Sequence, residues 1–163
     1  MDRQFNLLYL SIHRNKKSKG LISSKNEEVL DLSKTYNFAV LDLQTDEVTY
    51  LFDEPSEEET ISHLLYETHF MDKERRVLFN RGSTKVINNE SLEPREPADR
   101  LIVCQTNQSK DSYRIWTFTK KGQNKRLIAE ADSDTEWRVD VFNQKLLTFK
   151  RSSEKVVFKS YAL

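Results

Sequence analysis

The sequence contains little glycine and cysteine, and each scarcity limits what the chain can be. Only 3 of its 163 residues are glycine, which disfavours glycine-rich phosphate loops and leaves tight turns to Asn, Asp and Ser. The lone cysteine, Cys104, excludes an intramolecular disulfide, as is usual in a reducing compartment. No apolar run is long enough to cross a bilayer, and the segment Met1–Phe5 lacks the pattern of a signal peptide. We therefore expect a cytoplasmic protein without a membrane partner.

The chain also lacks an excess of either charge. Its 26 basic and 26 acidic residues cancel, whereas proteins that hold nucleic acid by its phosphates usually carry a basic excess. Nucleic acid is accordingly not the expected partner. The 9 Phe, 6 Tyr and 2 Trp residues supply bulk for a core, and the length fits one domain over residues 1–163.

Alternating apolar and polar residues recur along the chain and predict a mainly β protein built from antiparallel meander sheets. Short polar turns join several of the segments, including 75–79 and 85–87 across a turn at 80–83. Pro94 and Pro97 place 88–99 in a loop. The predicted strands lie at 5–12, 38–43, 48–52, 75–79, 85–87, 101–104, 113–119, 126–129, 137–142, 145–150 and 155–161.

One segment has helical spacing instead. Ser56 followed by Glu59 has the form of a capping box, and Ile61, Leu64 and Leu65 then repeat at intervals of three and four. This pattern predicts one short helix near 57–66. A weaker helix candidate lies at 26–32.

The strand–loop–hairpin layout repeats at 101–129 and 137–161, and more loosely at 5–52. These repeats resemble the blades of a β-propeller. The resemblance implies a partial propeller that pairs with a second copy of itself, in a homodimer with a structural or ligand-binding role. A sandwich or an open barrel is the alternative that the strand pattern leaves open.

Catalytic signals are sparse. His63, Glu67 and His69 would share one face of a strand and suit a metal, so a metal-dependent hydrolase is one alternative, although on the predicted helix His63 and Glu67 lie one turn apart and His69 falls beyond the end. Cys104 follows an apolar run, which is typical of a buried thiol rather than a nucleophile. The sequence has no hydrolase or nucleotide-binding motif. We therefore expect that the chain is not an enzyme and that it binds neither a cofactor nor a metal.

Segregated charge runs favour a protein that binds another protein. Basic stretches at 14–19 and 120–126 lie on predicted turns and offer a weaker case for nucleic acid. In size and character the chain is similar to bacterial immunity proteins, which implies a charged partner such as a cognate toxin domain that it neutralises. The acidic residues predicted to bind the partner are Glu57, Glu58, Glu59, Asp132, Asp134 and Glu136.

Overall fold

The computed structural model describes residues 1–14, 35–80, 85–87 and 93–163. Within these ranges the chain forms strands and no helix, and thus no helix that could span a membrane. The candidate helix at 26–32 and all of the basic stretch 14–19 except Arg14 lie outside the described residues. The strands are β1 Leu7–His13, β2 Thr35–Asp42, β3 Val48–Tyr50, β4 Glu59–Met71, β5 Arg76–Phe79, β6 Val86–Ile87, β7 Leu101–Asn107, β8 Ser112–Phe118, β9 Arg126–Asp132, β10 Glu136–Asp140, β11 Lys145–Arg151 and β12 Val156–Ala162.

The strands form three open sheets. Their orders are β1-β2-β3, β5-β4-β7-β8-β9 and β12-β11-β10-β6. Every neighbouring pair is antiparallel except β6 and β10, which run parallel. The predicted antiparallel meanders are therefore confirmed, as are the hairpins β2–β3 and β8–β9 and the meander β10-β11-β12.

The five-stranded sheet is the central layer, and its middle strand β7 is buried on both faces. Along β7, Leu101 and Val103 pack into one core with the three-stranded sheet. Ile102 and Cys104 pack into a second core with the four-stranded sheet. Successive side chains of a strand point to opposite faces, so a strand between two layers needs a continuous apolar run. This explains the unbroken run that predicted a buried strand.

The predicted helix near 57–66 is wrong, because this segment begins the long strand β4. The Ser56 pattern makes a single turn instead, in which the Glu59 N–H donates to Ser56 O at 3.3 Å. A β-bulge between Ile61 and His63 then inserts Ser62 as an extra residue. Ile61 and Leu64 consequently reach the same core although they are three residues apart. A strand with this bulge therefore shows the apolar spacing of three residues that is typical of a helix.

The predicted pairing of segments 75–79 and 85–87 is also wrong. Both segments are strands, but β5 pairs with β4, and β6 lies parallel to β10, with Val86 opposite Val139. The polar residues between the two segments predicted a hairpin turn. In the structure, however, β5 belongs to the central sheet and β6 to the four-stranded sheet. The loop with Pro94 and Pro97 is confirmed over the described residues 93–99.

Candidate protein-binding site

The register of the central sheet brings the two acidic segments to one end of the molecule. Glu59 lies opposite Asn107, Asn107 opposite Ser112, and Ser112 opposite Asp132. The start of β4, the β7–β8 turn and the end of β9 therefore lie side by side. We call this region the acidic end; its exposed carboxylates belong to Glu57, Glu58, Asp111, Asp132 and Asp134.

The β7–β8 turn links the two acidic segments. The Ser109 hydroxyl lies 2.6 Å from Glu58 Oε2 and 2.9 Å from Asn107 Oδ1. Asn107 Oδ1 also accepts the Lys110 N–H at 3.0 Å. On the other side of the turn, the Ser133 N–H donates to Asp111 O at 2.9 Å. These bonds fix the relative positions of the carboxylates at the acidic end.

Glu59 has a different role from its neighbours. It is only 6% exposed, and its carboxylate forms an ion pair with Arg114 on β8. The Arg114 guanidinium also lies 5.6 Å from the centroid of the Trp116 ring. Glu59 thus joins β4 to β8 and offers no exposed charge to a partner.

The acidic residues after β9 pair with cations of the four-stranded sheet. Lys150 Nζ lies 2.8 Å from Asp134 Oδ2 and 3.3 Å from Asp132 Oδ2. Hydrogen bonds to Asp134 and then to Asp132 raise the pKa of Lys150. Glu136 pairs with Arg138 at 3.3 Å. Exposed pairs of this kind contribute at most about 1 kcal/mol, so a docking cation can replace Lys150 at small cost.

A groove lies behind these carboxylates, between the edge strands β9 and β12. Its volume is about 270 Å³, below the range of about 300–1,000 Å³ typical of small-molecule pockets. The residues that line it include Ala131, Thr135, Thr148, Lys150, Val157 and Tyr161.

The structure does not bring His63, Glu67 and His69 together as a metal site. The His63 ring packs edge-on against Trp137, with 5.2 Å between centroids. The Glu67 carboxylate binds the Arg95 guanidinium at 2.6 and 2.8 Å. His69 Nδ1 lies 3.2 Å from the hydroxyl of its neighbour Thr68. Throughout the described ranges, no cluster of three or more His, Cys, Asp or Glu residues is placed to hold a metal.

Cys104 is a buried thiol, as predicted from its apolar surroundings. It is 2% exposed, and burial raises its pKa to about 11. A thiol with this pKa is protonated at neutral pH and is a poor nucleophile.

The cations of the basic stretch 120–126 have different surroundings. Lys120 is completely buried, while the Lys121 ammonium lies 2.7 Å from Asp42 Oδ2. Lys125 Nζ lies 5.7 Å from the Phe52 ring centroid. Of the other basic stretch, Arg14 donates to the carbonyl of Ser56. Burial and pairing divide the cations that the sequence grouped together.

Asp111 and Ser109 are the site residues that the sequence analysis missed. Both lie in the turn between two predicted strands, but only the register of β4 against β7 places that turn beside Glu58. No protein-family model matches the chain, and no curated protein or solved structure matches it significantly. The site is therefore defined by its geometry.

Proposed function

We propose that this chain is a non-enzymatic protein-binding protein that docks a basic surface of its partner at the acidic end. The observation that supports the proposal is the convergence of two acidic segments, distant in sequence, on one end of the central sheet. The groove between β9 and β12 adds a recess for one side chain of the partner beside Asp132.

The attraction is local, because the whole chain has a formal net charge of zero. Complementary charge speeds encounter and selects partners more than it adds affinity. Lys and Arg of the partner would meet the exposed carboxylates of Glu57, Glu58 and Asp111, and would compete with Lys150 for Asp132 and Asp134. Binding of this type weakens as salt is added, since exposed charges are screened over about 8 Å at physiological ionic strength.

A toxin domain with a basic surface is the partner class that we favour. The similarity of the chain to toxin-immunity proteins in size and character supports this choice. Such a partner would be neutralised by being covered, which requires no catalytic residues on this chain. The function is then inhibition by occlusion, with the acidic end as the surface that selects the toxin.

Charge reversal tests the proposal. The double variant Glu57→Lys and Asp134→Lys changes one exposed carboxylate in each acidic segment. The matched control, Glu47→Lys and Glu74→Lys, reverses two exposed carboxylates in the β2–β3 and β4–β5 turns. Both variants shift the net charge equally, so a difference between them reports the location of the charge.

The tagged proteins are purified from the native cell at low ionic strength, and copurifying proteins are quantified by mass spectrometry. We expect the unmodified chain and the control to retain one stoichiometric partner with a basic surface, and the acidic-end variant to lose it. Coexpression of the chain should also relieve growth inhibition by that partner. The absence of a stoichiometric partner, or equal retention by both variants, contradicts the proposal.

A further inference from the structure

Strand β12 is an edge strand with exposed apolar side chains. Val156, Val157 and Phe158 are 62%, 45% and 59% exposed. Among the described residues, β11 is the only strand paired with it. Natural edge strands are normally protected from pairing by charges, proline, bulges or a covering element. Here Lys159 is the only charged residue within β12. The apolar half of the strand, Val156–Phe158, therefore lacks this protection, and we expect another element to cover it.

The outward-facing backbone groups of β12 can be assigned from three hydrogen bonds. Ala162 O accepts from Arg126 Nη2 of β9 at 3.3 Å, and so points away from β11. Lys155 O and the Leu163 N–H instead bond back across the β11–β12 hairpin, to Ser152 N and Gln144 O. Backbone direction alternates along a strand. The N–H and C=O groups of the alternate residues therefore point to the open edge; these residues are Val156, Phe158 and Ser160.

We propose that β12 pairs antiparallel with β12 of a second copy of this chain, about a two-fold axis at Phe158. Phe158 then lies opposite Phe158 of the second copy, and Val156 lies opposite Ser160. Each of these is a hydrogen-bonded pair in which both residues use their outward N–H and C=O groups. The contact is isologous, so it closes as a dimer and does not grow into a filament.

Repulsion between like charges disfavours the two registers next to this one. Moving the axis to Lys159 places the two copies of Lys159 opposite one another. Moving it to Val157 places Lys155 opposite Lys159. Like charges directly across a strand pair are destabilising. In the Phe158 register, Lys159 faces Val157 and Lys155 faces Tyr161, so no like charges meet.

The same register extends an aromatic row that is already present. Phe149 of β11 lies directly opposite Phe158 of β12, so both side chains are on one face of the sheet. Pairing at Phe158 continues the row into Phe158 and Phe149 of the second copy. Aromatic cross-strand pairs stabilise paired strands, and the dimer would remove the apolar edge from water.

A cysteine scan tests the register directly. Phe158→Cys places two thiols across the axis, where the Cα–Cα distance of about 5.5 Å of a hydrogen-bonded pair permits a disulfide. The matched control is Val156→Cys, which is equally exposed on the same face but lies opposite Ser160. Val157→Cys and Lys159→Cys report the two competing registers. Cys104 is buried and does not interfere.

Under mild oxidation at micromolar concentration we expect a covalent dimer from Phe158→Cys, formed at least tenfold faster than from the other three variants. Sedimentation velocity of the unmodified chain should show a dimer. Ser160→Pro should be monomeric with an unchanged circular dichroism spectrum, because it removes an N–H that points outward and is not needed by β11.

A monomer at all concentrations of the unmodified chain overturns the proposal, and so does preferential crosslinking at residue 157 or 159. A Ser160→Pro protein that stays dimeric while folded also overturns it. The dimer shares β12 with the groove of the proposed function, but it uses neither Glu57 nor Asp134, so the two proposals can be tested separately. The charge-reversed variant of those two residues should lose its protein partner and still sediment as a dimer.

Discussion

Lys120 Nζ lies 2.9 Å from Asp2 Oδ2, and both side chains are buried between the three-stranded and the central sheet. The ammonium also donates to Glu67 O at 2.7 Å and lies 4.0 Å from the centroid of the Phe5 ring. The Tyr9 hydroxyl donates to Lys120 O at 3.2 Å. One lysine thus connects the N-terminal segment, β1 and the central sheet.

Removing the charge of Asp2 should destabilise the fold strongly. Asp2→Asn leaves the buried ammonium of Lys120 without a counter-ion, and breaking a buried ion pair on one side costs about 3–5 kcal/mol. The free energy of unfolding, measured with urea, should fall by this amount. The double variant Asp2→Asn with Lys120→Met should recover part of the loss, because it leaves no unpaired charge. A single variant within about 1 kcal/mol of the unmodified protein would contradict this account.

The sequence predicts most of the strands but not how they stack. Hairpins such as β8–β9 are local, and alternation with a polar turn is enough to identify them. The parallel pair of β6 and β10 involves only Val86 and Ile87 on one side, and no local signal marks it. The segment after Ser56 was misassigned because a bulge and a helix can produce the same apolar spacing over one turn.

The bulge gives a second prediction. Deleting Ser62 removes the extra residue of the bulge and leaves Ile61 and Leu64 two positions apart, so both side chains still face the same core. Deleting Thr148 from the regular strand β11 instead shifts one half of that strand by one residue and reverses its faces. Exposing one core side chain, such as that of Leu146, costs about 1.5–3 kcal/mol. We therefore expect the Ser62 deletion to stay folded and to exceed the Thr148 deletion in urea stability by at least about 1.5 kcal/mol. The control Ser62→Ala keeps the bulge and should stay within about 1 kcal/mol of the unmodified protein. A Ser62 deletion that loses as much stability as the Thr148 deletion would argue against the bulge.

The candidate site was only partly predictable, for a related reason. Composition marked Glu57–Glu59 and Asp132–Glu136 as acidic, but their proximity depends on the pairing of β4 with β7, which is distant in sequence. The burial of individual carboxylates could not be predicted from the sequence either. Glu57, Glu58 and Glu59 are consecutive, yet only the third is buried and paired with Arg114, because it is the first residue of β4.

Cys104 should report unfolding by its reactivity. Burial raises its pKa from 9.0 to about 11, so at pH 8 the folded chain holds a protonated and inaccessible thiol. We expect alkylation by iodoacetamide at pH 8 to be at least a hundredfold slower in the folded protein than in urea. An exposed thiol introduced by Thr45→Cys in the β2–β3 turn should react promptly in the same folded sample. Rapid labelling of Cys104 in the folded state would show that this core opens readily.

The raised pKa also means that the contribution of Cys104 to stability is complete below pH 9 and declines as the pH rises towards 11.

The ion pair with Lys121 should lower the pKa of the Asp42 carboxyl in solution. The hydrogen bond from Lys121 is the main cause that lowers the pKa of Asp42, followed by the bond from the Gln44 N–H. Because the folded pKa is depressed, the stabilisation is present above the unfolded value of 3.8 and is lost as the pH falls through the folded pKa. Lys121→Met should raise the midpoint of the Asp42 carboxyl in an NMR titration. Lys110→Met, which removes an exposed cation from the β7–β8 turn, should leave that midpoint unchanged. Equal midpoints in all three proteins would mean that the ion pair seen at 2.7 Å is not maintained in solution.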